Sequence, residues 1–197
     1  MDGRRARGAE TRRAILARAM DIAGVDGLEG LTVGRLAADL GSSKSGIFAQ
    51  FGSKEELQLA TVAFAEEVFT GNVLAPALSE PRGVPRLLGL FERWMVFSRA
   101  RVCQGGCFFS AVSAEFDARD GRVRDALAER SQGYRDLLVR LATEAVEEGH
   151  LPADTDVVQL VFEIVAFGRA ANHEGLLTRE DAPYERAIAA VRARLGR

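Results

Sequence analysis

A chain of 197 residues that is 47% hydrophobic and 27% charged is long enough for a substantial core and has the balance of an ordinary globular protein. No apolar run approaches the span of a membrane helix, and the N-terminus is basic and polar without a signal-type apolar stretch, so the expectation is a cytoplasmic protein with no membrane partner. The net charge of −2 hides an asymmetry: residues 1–54 carry nine Lys or Arg against six Asp or Glu, whereas 55–197 carry 17 basic and 22 acidic residues, a basic end that turns toward a polyanion on an acidic body that does not.

Few prolines and long stretches rich in Ala, Leu, Arg and Glu favour helices, and no alternating strand pattern is found, so the fold is expected to be all-α with about nine helices. The first covers about 10–25, with Ile15, Leu16, Ala19, Ile22 and Ala23 on its buried side and Gly27 beyond its end. Arg4, Arg5 and Arg7 precede it as a basic arm. Residues 32–57, TVGRLAADLGSSKSGIFAQFGSKEEL, then read as two short helices joined by a tight turn, followed by the start of a further helix. Thr32 is a natural N-cap before Val33, Leu36, Ala37 and Leu40. Gly41 ends that helix by accepting a left-handed backbone. Ser42 and Ser43 offer hydroxyls to cap the next, in which Ile47, Phe48 and Phe51 are expected to form the apolar side. Lys44, Ser45, Gly46, Ala49 and Gln50 are left for the exposed side. This is the layout of a helix-turn-helix, whose second helix enters the DNA major groove.

The stretch resembles the DNA-binding domain of the tetracycline-repressor (TetR) family. The matching residues are Thr11-Arg12-Arg13-Ala14-Ile15-Leu16, Leu31-Thr32-Val33, Gly41, Ser43-Lys44, Phe48, Phe51 and Ser53-Lys54-Glu55. The resemblance implies a DNA-binding domain over 1–54 and a helical regulatory and dimerisation domain over 55–197. It implies a homodimer on a palindromic double-stranded operator, in most cases a repressor, and a small-molecule effector bound in the second domain. Contacts to DNA are expected from Thr32, Ser42, Ser43, Lys44, Ser45, Gly46, Phe48, Gln50 and Lys54. Hydroxyls at helix N-termini suit phosphate, Lys44 can reach a base edge or a phosphate, and Gln50 can pair with an adenine edge. Small Ser45 and Gly46 let the helix backbone approach the bases, and Lys54 is a phosphate clamp by resemblance. Where the family often has Tyr, this chain has Phe48, and the common aromatic or His near Ala49 and Gln50 is missing.

Further along, Ser53-Lys-Glu-Glu56 reads as a capping box opening the fourth helix, which carries Leu57, Leu59, Val62, Phe64 and Val68 toward Leu74. Pro76, Pro81 and Pro85 are expected to punctuate the connection after it. Helices are expected over about 84–100, from Cys107 to Phe116, and over about 121–148. The last two start near Asp154–Asp156 and at Thr178-Arg-Glu-Asp181, read as a capping motif. Most of the aromatic residues fall in the fourth to eighth helices, where core is the simplest reading. The resemblance adds an apolar ligand cavity there, for which Phe64, Phe91, Trp94, Phe109, Phe116 and Phe162 are the candidates. Arg93, Glu115, Glu163, Arg169, Asn172 and His173 are the polar residues nearest to them in sequence. The last two helices carry more apolar residues than two terminal helices of a monomer need. By resemblance they pair with their symmetry mates as a four-helix bundle, through Val157, Val161, Ile164, Ile188, Val191 and Leu195.

Cys103 and Cys107 are too few for a tetrahedral metal site and have no His beside them, so neither a metal nor another cofactor is expected. Buried small hydrophobes are the simplest reading for both, and a redox sensor is the alternative. With two His, no Ser-His-Asp spacing and no phosphate-binding Gly loop, the sequence argues against an enzyme. A ligand-responsive regulator and a DNA-binding protein of the same fold that works through protein partners are the two readings that stand.

Overall fold

The computed structural model describes residues 2–197, with side chains at position 6 and from position 8 onward. The side chains of Arg4, Arg5 and Arg7, the expected basic arm, lie outside the described residues. Ten α segments and one π turn follow in order: α1 (Asp2–Asp26), α2 (Val33–Asp39), α3 (Lys44–Phe51), α4 (Lys54–Phe69), the π turn (Thr70–Leu74), α5 (Ala75–Leu78), α6 (Val84–Arg99), α7 (Phe108–Phe116), α8 (Arg122–Glu147), α9 (Val157–Thr178) and α10 (Ala182–Arg194). Among the described residues there is no strand, only an isolated bridge between Cys103 and Gly106. The fold is all-α. Because α4, the π turn and α5 run on without a break, the ten segments amount to the nine helices the sequence predicts.

Two compact units are interleaved along the chain. The first holds the chain through Glu67 together with Cys103–Leu127, and the second holds Val68–Val102 and Ala128–Arg197. This differs from a linear division at 54/55, because α7 packs against α1 within the first unit.

In the first unit, α1 buries Ile15, Leu16, Ala19, Met20, Ile22 and Ala23, a stripe at helical spacing. Leu28, Leu31, Leu36, Ile47 and Leu57 complete the core of the small helices. The 103–107 turn is fastened to α1 at three points. The Cys103 thiol donates to the Met20 carbonyl at 3.5 Å and the Gln104 amide donates to Asp21 at 3.4 Å. Gly105 lies directly on the backbone of Gly24, and neither position has room for a Cβ. In the second unit, α6 buries Leu87, Leu90, Phe91, Trp94 and Met95 and packs against α9 and α10. Asp156 caps α9 by accepting from the amides of Val158 and Gln159.

Four local expectations are corrected. α1 begins at Asp2, well before residue 10. Pro76 does not end the fourth helix: the Ala75 amide bonds to the Thr70 carbonyl, five residues back, and the chain stays helical to Leu78. That π turn is the adjustment a helix makes ahead of a residue that lacks an N–H and crowds the preceding turn. Thr178 and Asp181 form no capping motif: Thr178 ends α9, its hydroxyl donating to the Glu174 carbonyl, and Arg179 turns the chain in a left-handed conformation. Asp181 precedes α10 without a side-chain cap. Finally, Phe48 is not on the apolar side of α3, where Ile47 is buried and Phe48 is 55% exposed.

Candidate nucleic-acid interface

Both caps of the helix-turn-helix are formed. The Thr32 hydroxyl accepts from the Arg35 amide at 3.2 Å and that of Ser43 accepts from the Gly46 amide at 3.0 Å. Gly41 has φ 59°, the left-handed turn between the two helices. Ser43 and Ser45 hydroxyls lie 3.3 Å apart, and Ser42 donates to the Leu40 carbonyl. Thr32, Ser42 to Gly46, Phe48, Gln50 and Lys54 are all exposed, so every residue expected at the DNA is at the surface. The face is polar and presents one end of α3, the arrangement that receives phosphate on hydroxyls and free amides.

The cations on this unit differ in availability. Lys44 has no ion-pair partner among the described residues. Arg18 and Arg35 pair with Asp39 and Asp26. Arg12 closes α3 instead: it donates to the Gln50 carbonyl at 2.8 Å, and its guanidinium stacks over half-buried Phe51 at 4.3 Å. Lys54, the expected phosphate clamp, is held at 2.8 Å by both the carboxylate and the carbonyl of Glu29. That Lys54 hydrogen bond is the chief cause holding the Glu29 carboxyl below its ordinary value, with Gln58 and Arg119 adding to it.

Sequence reading places Glu115 only among the polar residues near the expected cavity and misses that it organises this corner. Glu115, on α7, accepts from the Leu28 amide at 2.7 Å and the Glu29 amide at 2.9 Å, one oxygen each. Gln58 donates to the Leu28 carbonyl at 2.8 Å from within the core. The turn after α1 is thereby fixed from α7 and α4 together, and Glu29 is placed to hold Lys54. A partner 86 residues away leaves no local signal in the sequence.

The candidate cavity residues do not form one group. Phe64 is buried beneath Arg13, Phe116 beneath Arg119, and Phe109 is half-buried against Phe108, all in the first unit. Phe91 and Trp94 are buried edge to face at 5.9 Å in the second. Phe162 is 68% exposed and walls no cavity in the single chain. Of the nearby polar residues, Arg93 pairs with Glu80 and Glu163 with Arg194, while Asn172 is buried.

The expected pairing face is also corrected. Val161, Ile164, Val191 and Leu195 are buried in the protomer's own second unit, and Val157 and Ile188 are half-buried. The mutual packing of α9 and α10 and their contacts with α6 consume that stripe. The large apolar residues left exposed on α9 are Val158, Phe162, Phe167 and Leu177. Cys103 and Cys107 are buried and form no disulfide, and burial pushes the Cys103 thiol up to about 11. A sensor thiol needs the opposite, an accessible site with a depressed pKa.

Residues 15–61 match the family described as bacterial regulatory proteins, tetR family, and residues 83–191 match the tetracyclin repressor-like C-terminal domain. No curated relative matches the chain. Among solved structures, a TetR transcriptional regulator from Chloroflexus aurantiacus superposes with a TM-score of 0.89 at 21% identity, over 98% of this chain and 97% of the other. A TetR-family regulator from Streptomyces coelicolor gives 0.79 at 21%, over 93% and 94%. AibR in complex with isovaleryl coenzyme A and operator DNA gives 0.70 at 20%, over 82% and 85%. At these identities the structures establish the fold.

Proposed function

From the premise that the chain belongs to the TetR family of transcription regulators, we propose that it is a homodimeric repressor released from a palindromic operator by a small apolar or amphipathic effector. The observation that carries the DNA side of this reading is the formed helix-turn-helix, with both caps in place and an exposed Lys44 that has no ion-pair partner among the described residues. Two copies would place their α3 helices in successive major-groove faces about 34–36 Å apart. Lys44 would reach a base edge, the hydroxyls of Thr32, Ser42, Ser43 and Ser45 would meet phosphates, and Gly46 would admit close approach. Gln50 would contact an adenine edge, and Phe48 would offer an apolar contact such as a thymine methyl.

Pairing of two copies is supported by Val158 and Phe162, large apolar side chains left exposed one turn apart on α9. The effector side is supported by the aromatic interior of the second unit and by the solved complex of AibR, a fold relative, with isovaleryl coenzyme A and operator DNA. An effector must favour the DNA-incompetent dimer, because a ligand shifts an equilibrium only by its differential affinity. α4 is suited to pass the signal, since it begins at Lys54 and ends at Phe69, whose ring meets Tyr134. Selection of bound fragments from genomic DNA is the direct test. The reading expects an inverted repeat, bound by a dimer and released by an apolar compound. Recovery of fragments without a shared repeat would reject it.

A further inference from the structure

Inside the second unit, Nε1 of Trp94 and Oγ of Ser98 are buried without a hydrogen-bond partner. Their residues are 4% and 0% exposed. Four positions apart on α6, they lie on one face of the helix, one turn from each other. A buried polar group left unmatched pays its desolvation without return, and folded proteins keep few of them. Ser98 is the more telling of the two. A hydroxyl within a helix commonly satisfies itself on the carbonyl four residues earlier. Thr61, Thr143 and Thr178 do this at 2.7, 2.9 and 3.0 Å, whereas Ser98 forgoes it and stays unsatisfied.

The surroundings are aromatic. Trp94 meets Phe91 at 5.9 Å and Tyr134 at 5.8 Å, both edge to face. Phe69 meets Tyr134 at 5.8 Å and Phe97 at 5.7 Å. The carbocyclic edge of the indole is wedged onto Gly168 of α9, where any Cβ would collide with Cζ3 and Cη2. The indole is therefore fixed by one edge and offers Nε1 from the other. Phe97 also lines a surface groove of about 420 Å³ with Asn72, Arg93 and Val96, so the ring relay from Trp94 ends at solvent.

We propose that Trp94 and Ser98 form the subsite for the oxygen acceptor of the effector, a carbonyl or carboxylate carried on an apolar or aromatic body. An indole N–H can only donate, and a hydroxyl can donate beside it, so the pair matches one oxygen with two lone pairs. The rings of Phe69, Phe91, Phe97 and Tyr134 receive the apolar part. This inference rests on the effector-responsive reading above and adds the chemical class of the ligand.

The chain has one Trp, so the ¹⁵N-labelled full-length protein gives a single indole N–H resonance. Two probe pairs, each matched in its apolar part, separate acceptor from body: 2-acetylnaphthalene against 2-isopropylnaphthalene, and decanoate against decyltrimethylammonium. The acceptor-bearing member is expected to move the indole proton downfield and to bind about tenfold tighter than its counterpart. Ser98→Ala should reduce that advantage and leave the acceptor-free members unchanged. Trp94→Phe, followed by calorimetry, should do the same. Equal affinity within both pairs overturns the subsite, as does an indole resonance that no probe moves or that keeps contact with a resident water at saturation. Release of operator DNA, measured in parallel, is scored separately. A probe that frees DNA without moving the indole rejects the subsite and leaves the effector reading standing, and failure of every probe on both readouts rejects the subsite and counts against the effector.

Discussion

The two units of this protein treat their polar groups in opposite ways. In the first, the hydroxyls of Thr32 and Ser43 are exposed and already bonded to backbone amides, and Lys54 is bonded to Glu29. In the second, Trp94 Nε1 and Ser98 Oγ are hidden and bonded to nothing. A surface group in contact with water can exchange one partner for another at small net cost, which suits a polyanion that arrives and leaves as an intact surface. A buried unmatched group stores its penalty until a partner of the right shape enters. One unit is arranged for exchange and the other for capture, and each of the following experiments strains that contrast.

The largest expected effect separates two neighbours on α9. Val161 is 3% exposed and Phe162 is 68% exposed. Val161→Asp places an unpaired charge in the core, a loss of about 3–5 kcal/mol that should unfold the second unit. Phe162→Asp should leave the helical circular dichroism and thermal midpoint of the protomer close to the parent's. It should yield monomers by sedimentation and lose about half of the roughly 4–10 kcal/mol by which specific DNA binding exceeds non-specific binding. Dimers that persist in Phe162→Asp would remove this face from the interface.

Cys103 tests whether burial in the first unit is inert. Its folded thiol titrates near 11 against an ordinary 9.0, because burial disfavours the thiolate. A pKa raised by folding means that the stabilisation is fully present below 9 and is lost as pH rises through 11. The loss approaches about 2–3 kcal/mol at the alkaline end. Chemical denaturation between pH 8 and 11 should show this slope in the parent and a shallower one in Cys103→Ala. At neutral pH, peroxide should leave operator binding unchanged. Release of DNA by peroxide in the parent but not in a Cys103→Ser, Cys107→Ser double variant would establish the sensor.

Lys44 tests the exchange side directly. Lys44→Ala should lose about 1–3 kcal/mol of operator affinity and relax one position of the recognised sequence, if its ammonium reads a base edge. A uniform loss on every sequence would reassign it to phosphate.

What the sequence revealed depended on how local each determinant was. The caps at Thr32 and Ser43, the turn at Gly41 and the periodicity of α1 and α6 depend on residues within a few positions, and all of them were legible. Burial on a helix that is apolar on several sides was not. Val161 and Phe162 are both hydrophobic, and only the packing of α10 and α6 on α9 decides which of them is covered. Phe48 was misplaced for the same reason, since Ile47 beside it takes the core side of α3. The Glu115 clamp joins residues 86 and 87 positions apart, and no periodicity carries such information. Ser98 was invisible for a different reason, because a missing hydrogen bond has no sequence pattern.

The smallest expected effect concerns Glu29, and it decides how available Lys54 is. The carboxylate holds Lys54 Nζ at 2.8 Å in an ion pair whose two side chains are 44% and 49% exposed, a geometry worth no more than about 1 kcal/mol. Phosphate must compete with that carboxylate for the same ammonium. Glu29→Gln keeps the shape and the Lys54 bond to the Glu29 main-chain carbonyl, but removes the charge. Operator affinity should rise by less than about 1 kcal/mol, and the dependence on salt should steepen by about one phosphate contact. Lys54→Ala should flatten it by a similar amount. In the Lys54→Ala background the Glu29→Gln gain should disappear, which distinguishes release of Lys54 from a general change in charge. Acid supplies an independent check. Folding lowers the Glu29 pKa below 4.5, chiefly through the Lys54 hydrogen bond, so its contribution to stability is present above 4.5 and is lost as pH falls through the folded value. The stability difference between the parent and Glu29→Gln should therefore shrink in acid. A Glu29→Gln gain that survives without Lys54 would show that the pair does not restrain the clamp, and the exchange seen at this surface would then belong to the hydroxyls and Lys44 alone.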